Sequence, residues 1–345
     1  MSPVADREVD LAGWDRALEA LVPTPPGCHE RLLSPAEARA VLGCRPDVVE
    51  HLVASGLPVP ELVDGEPRLD LHDVINVGLY SGAGTSMPEL AQRALLRYAA
   101  GDPATWTAPV RWSIAVEHHC AAAPEPGTAH AGAWELAEPD PVRWGGEVEA
   151  WEVREGMRLP PAAGGPAAAS PEHASVTGRV RLTGRAQRVL AGAVAEPFHE
   201  LVRGIGGGAP RFQWLPAALR ADPDAAARLG VVDCGAGSLL LARELGRRGF
   251  EAHAREGHVL GLVPTLHGWV EVRDEDGAWK ALDPIFCALA GRVAGTRPEF
   301  AAFCLGSFSS RVLPWAVEAG APIAAHRCPG GGTPRTTVLS GQVRS

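Results

Sequence analysis

The chain of 345 residues is poor in features that define several classes of protein. Lysine occurs once, as Lys280, and the net charge is −9 at pH 7. An excess of negative charge disfavours nonspecific binding to nucleic acids or anionic membranes. No long apolar run predicts a transmembrane helix, and the polar N-terminus lacks the apolar centre of a signal peptide. We therefore expect a cytoplasmic protein that does not bind membranes.

The seven cysteines are scattered, and no two of them form a CxxC pair. This pattern predicts neither a zinc site nor a disulfide framework, and it fits a reducing compartment. His118, His119 and Cys120 are adjacent, but neighbours on a strand point to opposite faces and cannot supply three ligands to one metal. We predict no metal and no other cofactor.

The clearest chemistry lies between residues 231 and 284. Cys234 precedes a run of leucines that predicts a buried helix face, and Gly249 ends this helix after two arginines. The free N–H groups and the dipole at a helix start favour the thiolate, which is the nucleophilic form of cysteine, and can also bind an oxyanion. Gly235 is a candidate substrate-binding residue, because glycine lets a carbonyl approach the sulfur closely.

His267 opens the alternating segment HGWVEV, which predicts a half-buried strand. A turn of the DEDG type follows, and WKAL then predicts the second strand of a hairpin that ends at Asp283. Because the two ends of an antiparallel pair meet, we expect His267 and Asp283 to be neighbours. A carboxylate in this place can orient an imidazole that takes a proton from a thiol.

In their order, the motifs DCG, ELGRRG, HGWVEV and WKALDP resemble the transglutaminase-like superfamily of thiol enzymes in its bacterial form. The resemblance implies an α+β fold with a papain/transglutaminase-like catalytic domain, in which the cysteine helix packs on an antiparallel sheet. It also implies that Cys234, His267 and Asp283 are catalytic. Gly268 stands where the family usually has alanine, and Trp269 is a second candidate substrate-binding residue. The family's upstream oxyanion donor has no motif match, so position and chemistry alone suggest Gln213 or Trp214.

The N-terminal part is predicted to consist of a leader (1–27) and a helical module (28–101). The leader contains a short amphipathic helix that we expect to dock on the body of the protein. The module resembles an excisionase-type winged helix, with a capping box at Ser34, a second helix at 46–55 and a hairpin around Asp64 and Gly65. Acidic residues outnumber basic ones here, which argues against DNA binding and favours a peptide-binding, protein-binding or structural role.

Three regions follow the module. Residues 102–185 are rich in tryptophan and predict antiparallel strands, with a flexible linker at 160–171. Residues 186–325 are the predicted catalytic domain, with a final helical region at 298–320 that covers the sheet. Residues 326–345 are predicted to be a disordered tail.

These residues favour acyl transfer through a thioester. Attack by water would cleave an amide or peptide, and attack by an amine would form a new amide, as in natural-product or peptide-processing pathways. The sequence leaves this choice open. The expected partner is a peptide, a protein or a carrier-bound acyl substrate. The alternative function is that of a non-catalytic transglutaminase-like binding or regulatory protein.

Overall fold

The computed structural model of the chain describes residues 11–120, 133–154, 173–327 and 335–343. It combines helices with mainly antiparallel sheets. The α-helices are, in chain order, α1 (Ala12–Glu19), α2 (Pro35–Leu42), α3 (Pro46–Ala54), α4 (Leu71–Tyr80), α5 (Met87–Leu96), α6 (Gly192–Gly207), α7 (Ala217–Ala221), α8 (Pro223–Arg228), α9 (Cys234–Arg247), α10 (Pro284–Ala290) and α11 (Glu299–Phe303). The strands are, in chain order, β1 (Leu32–Leu33), β2 (Glu61–Val63), β3 (Glu66–Asp70), β4 (Val110–His119), β5 (Ala133–Leu136), β6 (Glu147–Arg154), β7 (His173–Leu182), β8 (Arg211–Phe212), β9 (Val231–Val232), β10 (Ala252–Val259), β11 (Thr265–Arg273), β12 (Trp279–Leu282), β13 (Leu305–Gly306), β14 (Val312–Glu318), β15 (Ala324–Arg327) and β16 (Arg335–Gln342). The linker predicted at 160–171 lies outside the described residues.

Contacts divide the chain into two compact units, each built from two separate stretches. The first unit comprises residues 1–94 and 207–236, and the second comprises residues 95–206 and 237–345. Residues 207–236 thus pack with the N-terminal part, whereas the sequence assigns them to the predicted catalytic domain. Among the described residues, no helix is long and apolar enough to span a bilayer.

The N-terminal part of the first unit has the order of elements that the sequence predicts. Ser34 and Glu37 form the expected capping box of α2, in which each side chain accepts a hydrogen bond from the backbone N–H of the other residue. Gly43 ends α2 in the left-handed region, at a φ of 63°. The hairpin of β2 and β3 turns at Asp64 and Gly65, and β1 extends it to a sheet of order β1-β3-β2. Its identity as a winged helix remains a prediction.

The described part of the leader, residues 11–27, packs on the rest of the first unit, as expected. Trp14 of α1 is buried in the core that α1 shares with α2, α3 and α4. Further along, Thr24 is buried between two carboxylates: its hydroxyl lies 3.0 Å from Asp70 Oδ1 and 2.8 Å from Asp73 Oδ1. The backbone N–H of Thr24 also donates to Asp73 Oδ1, at 2.8 Å. Burial raises the pKa of Asp73 from 3.8 to about 6, although the bonds from Thr24 oppose this effect.

The main sheet of the second unit has the order β13-β12-β11-β10-β14, with antiparallel neighbours throughout. Alternation predicts that β11 is half-buried, but every residue from 267 to 272 is buried. Even Glu271 is fully buried, because Trp144 Nε1 donates to its Oε1 at 3.0 Å and Arg255 Nε lies 3.5 Å away. A carboxylate tolerates burial when it is paired and hydrogen-bonded in this way.

The second sheet of this unit has the order β16-β4-β7-β6, which confirms antiparallel strands in the tryptophan-rich region. The prediction of a disordered tail is wrong for residues 335–342. These residues form β16, which pairs with β4 from Arg335 opposite His119 to Gln342 opposite Trp112. The pairing satisfies backbone groups that β4 would otherwise expose along its edge. The final helical region at 298–320 is also wrong beyond α11, since β14 forms an edge of the main sheet.

Candidate active site

Cys234 is the first residue of α9, as the sequence predicts, and it is 6 % exposed. Asp233, just before it, is fully buried and caps the helix, because its Oδ1 accepts a hydrogen bond from Ala236 N at 2.8 Å. Its other oxygen, Oδ2, accepts from Arg220 Nε at 2.8 Å. The thiol therefore lies at the positive end of the helix dipole, next to a carboxylate that an arginine neutralises.

Packing explains why residue 235 is a glycine, and the sequence alone does not show this. A Cβ atom at this position would lie 2.6 Å from Cγ and 2.7 Å from Cδ of Arg220. The arginine stem thus crosses directly over the glycine to reach Asp233. An alanine here would push Arg220 away from the carboxylate it neutralises. Gly235 thus leaves the space that Arg220 needs to reach Asp233. Its contact with a substrate remains a prediction.

The two candidate oxyanion donors follow β8, which pairs with β9 in parallel. Phe212 lies opposite Val232 in this pair, and Gln213 N donates to Val232 O at 3.0 Å. Parallel strands end at the same edge, so residues 213 and 214 lie level with residues 233 and 234. The short strand pair therefore brings Gln213 and Trp214 to the start of the cysteine helix.

The side chains of this segment have different neighbours. The Gln213 amide is buried against the leader, where its Nε2 donates to Val22 O and its Oε1 accepts from Val22 N, both at 3.0 Å. The backbone of Trp214 is held by Asn76 of α4, which accepts from Trp214 N at 2.8 Å and donates to Trp214 O at 3.0 Å. Within the described residues the indole N–H of Trp214 has no hydrogen-bond partner. Of the two candidate donors, the Gln213 amide is therefore already hydrogen-bonded, whereas the Trp214 indole N–H is not bonded within the described residues.

His267 and Asp283 lie together in the second unit, as the hairpin predicts. The ladder pairs Val270 with Leu282, so Asp283 is level with Trp269 and diagonal to His267. His267 Nε2 lies 2.6 Å from Asp283 Oδ2, and the histidine is buried. Asp283 Oδ1 accepts from Phe286 N at 3.0 Å and so caps α10, while the Phe286 ring stacks on His267 at 3.9 Å between centroids. Each carboxylate oxygen of Asp283 therefore has a hydrogen-bonding partner, Oδ1 on the backbone of α10 and Oδ2 on the imidazole of His267.

A small cavity adjoins this pair. Its volume is about 30 Å³, and its lining includes His267, Asp283, Trp269, Tyr98 and Ser309. Trp269 is buried, and its indole N–H has no partner among the described residues. Burial raises the pKa of the Tyr98 hydroxyl well above its ordinary value. The cavity has room for about one water molecule, which could bind the indole N–H. Trp269 thus lines a space too small for a substrate side chain.

Sequence reasoning missed three residues that shape the site. Asp233 could have been found, because an aspartate directly before a helix is a common N-cap. No sequence pattern identifies Arg220 or Phe286. Their roles depend on contacts in the folded chain, Arg220 with Asp233 and Phe286 with His267. Among the described residues, no three His, Cys, Asp or Glu side chains are grouped as metal ligands would be.

Comparisons with known proteins add little to this description. No protein-family model matches the chain, and the search of curated proteins found no match either. Among solved structures, the chain is similar to one described as a "putative cysteine protease" from Cytophaga hutchinsonii, with 11% sequence identity and a TM-score of 0.34. The likeness covers 69% of this chain and 92% of that one. At this TM-score it establishes neither the fold nor the activity.

Proposed function

We propose that this chain is a thiol acyl-transfer enzyme in which Cys234 is the nucleophile, His267 transfers the proton and Asp283 orients His267. The observation that supports this best is the 2.6 Å hydrogen bond between His267 Nε2 and Asp283 Oδ2. When Nε2 carries the proton that this bond requires, Nδ1 is the basic nitrogen of the ring. A buried imidazole oriented by a carboxylate is the base that a cysteine nucleophile requires. The resemblance to the transglutaminase-like superfamily supports the same assignment.

The proposed reaction has two halves. In the first, Nδ1 of His267 takes the thiol proton, the sulfur of Cys234 bonds to the acyl carbon, and the carbonyl oxygen becomes an oxyanion. Backbone N–H groups at the start of α9 and the indole N–H of Trp214 are suited to bind that oxyanion. Gln213 is the second candidate, and it would act only when its amide leaves Val22. His267 then protonates the leaving group, and a thioester remains.

In the second half, a nucleophile cleaves the thioester and restores the thiol. Water would release a carboxylic acid, and an amine would form a new amide. We therefore include both amide or peptide cleavage and amide formation in a natural-product or peptide-processing pathway. The proposed substrate is a peptide, a protein or a carrier-bound acyl group, and the proposed setting is the cytoplasm.

A non-catalytic binding or regulatory protein is the second candidate function. It is favoured by the low exposure of Cys234, of which 6 % is accessible. A buried cysteine most often serves as a small hydrophobic residue. Such a thiol would react slowly with external reagents and would not depend on a histidine.

Alkylation of each cysteine by iodoacetamide, followed by peptide mass spectrometry from pH 5 to 9, distinguishes these functions. An activated Cys234 should be labelled below neutral pH, ahead of Cys28, a half-buried thiol of the same unit. His267→Ala should slow the labelling of Cys234 and leave Cys28 unchanged. Cys234→Ala should reduce the turnover of a substrate by at least about 10³-fold. Labelling of Cys234 that follows the same pH curve in wild type and His267→Ala would refute the enzyme proposal.

A further inference from the structure

A cavity of about 570 Å³ lies within the first unit, between the leader and α3. This volume is within the range of roughly 300–1,000 Å³ that is usual for ligand-binding pockets. The leader supplies one wall, between Asp15 and Pro23, and the end of α3 with the residues after it supplies the other, between His51 and Pro58. The cavity therefore exists because the leader packs on the helical module, and none of the proposed catalytic residues lines it.

The charged groups of this cavity are acidic. Asp15 and Glu19 lie one turn apart on α1, and among the described residues that line the cavity there is neither a lysine nor an arginine. Only His51 of this lining can carry a positive charge, and its Nε2 lies 2.6 Å from Asp15 Oδ1. The Glu19 carboxylate forms no ion pair with any described residue. At least one carboxylate is therefore available to a cation that enters.

Two helix C-termini also border the cavity. Leu18 and Glu19, the last two residues of α1, line it, and so do Ser55 and Gly56, which directly follow the end of α3. The last carbonyl groups of a helix give its C-terminus a partial negative charge, which attracts cations. The two helix ends thus favour a positively charged ligand independently of the two carboxylates.

Apolar side chains form the rest of the lining. Leu18 and Leu21 are half-buried and pack against the core of the unit, and Pro58 is half-buried on the opposite wall. Glu19 and Ser55 are exposed, so the cavity opens to solvent beside them. A ligand that matches this lining has an aliphatic part, a cationic end and room to extend into solvent. The side chain of a lysine or an arginine within a peptide meets all three conditions.

We propose that this cavity is a peptide-binding site that accepts a basic side chain flanked by apolar residues. Asp15 and Glu19 bind the cationic end, and Leu18 and Leu21 contact the aliphatic part. Arginine should bind more tightly than lysine, because a guanidinium can donate to two carboxylates at once. The proposal concerns binding alone and does not depend on the acyl transfer proposed above.

Saturation-transfer NMR on the full chain tests the site without an activity assay. The probe is the tripeptide acetyl-Leu-Arg-Leu-amide, whose Kd is obtained by titration. Replacing its arginine with citrulline keeps the size but removes the charge, and should raise Kd by at least about tenfold. Agmatine carries the same guanidinium without a peptide or leucines. It should also bind at least about tenfold more weakly, which distinguishes a peptide ligand from a free amine.

Two charge reversals locate the binding. Glu19→Arg should raise the Kd of the tripeptide by at least about tenfold, because it places a cation in the cavity. Glu50→Arg is the matched control: Glu50 is an exposed residue of α3 that does not line the cavity, and its reversal should change Kd by less than about twofold. The proposal is overturned if the tripeptide does not bind below about 10 mM, if citrulline or agmatine binds equally well, or if the two reversals weaken binding equally.

Discussion

Replacing Asp73 with asparagine should abolish a pH dependence in the stability of the first unit. Asp73 is buried at the start of α4, where it binds the backbone N–H and hydroxyl of Thr24 at 2.8 Å each. Burial raises its pKa from 3.8 to about 6, so the folded unit holds this proton more tightly than the unfolded chain does. The stabilisation from this proton is complete below about pH 3.8 and is lost as the pH rises through about 6.

The magnitude follows from the two pKa values. The difference between 3.8 and about 6 corresponds to about 3 kcal/mol of unfolding free energy, at about 1.4 kcal/mol per pKa unit. Asparagine has no titrating proton, so Asp73→Asn should lack this pH-dependent contribution to the free energy of unfolding at every pH. His72, whose pKa burial lowers, is present in both proteins and is not among the charges that shift the pKa of Asp73. The difference between the two pH profiles therefore isolates Asp73.

Amide hydrogen exchange measures the stability of the segments around Asp73 directly. Peptides that cover residues 20–27 and 71–80 should be followed from pH 4 to 7.5, with rates corrected for intrinsic exchange. Wild type should lose about 100-fold in protection relative to Asp73→Asn over this range. Asp47→Asn, which removes an exposed carboxylate paired with Arg45, is the matched control and should give a profile parallel to wild type. Parallel profiles for wild type and Asp73→Asn would refute the reasoning.

Three further substitutions test other contacts. Gly235→Ala should destabilise the first unit by about 1–3 kcal/mol in denaturant unfolding, because the alanine Cβ displaces Arg220 from the buried carboxylate of Asp233. If Gly235→Ala costs the same free energy of unfolding in an Arg220→Ala background, this explanation is contradicted. Gln213→Met should speed amide exchange at residues 20–24 by about tenfold or more, since two hydrogen bonds to Val22 disappear, and unchanged exchange would show that the leader is held elsewhere. In the second unit, burial lowers the pKa of His118 to about 4, so the unfolded chain gains a proton first as the pH falls. Stability should therefore fall by up to about 3 kcal/mol between pH 6.5 and 4, and His118→Gln should flatten this loss in urea unfolding; an equally steep loss in the variant would count against this cause.

The sequence predicted those parts of the structure that depend on neighbouring residues. The cysteine helix and the hairpin of β11 and β12 each have their signals within about 20 residues, as periodicity, caps and turns. The pairing of His267 with Asp283 followed from the hairpin alone. Patterns in neighbouring residues were thus enough to predict elements whose contacts are close in sequence.

Contacts between distant segments explain what sequence reasoning missed. Residues 335–342 contain only a short β-branched run, Thr336-Thr337-Val338, and β16 forms because the edge of β4 provides partners. Glu271 has a polar side chain in an alternating segment, yet Trp144 and Arg255 make its burial possible. Gln213 seemed suited to an oxyanion by chemistry, but Val22 occupies its amide from the far end of the chain. None of these partners can be found from a residue's own neighbours.

The division of the first unit into two stretches limits how this protein can be shortened or recombined. A fragment that begins at residue 186 would keep Cys234, His267 and Asp283. It would lose Asn76, Tyr80 and Val22, which bind the backbone or side chains of residues 212–214. The N-terminal part is therefore a structural portion of the cysteine-bearing unit, and exchanging it for another domain would require new partners for that segment. Lineages that rearrange this gene should consequently inherit both stretches together.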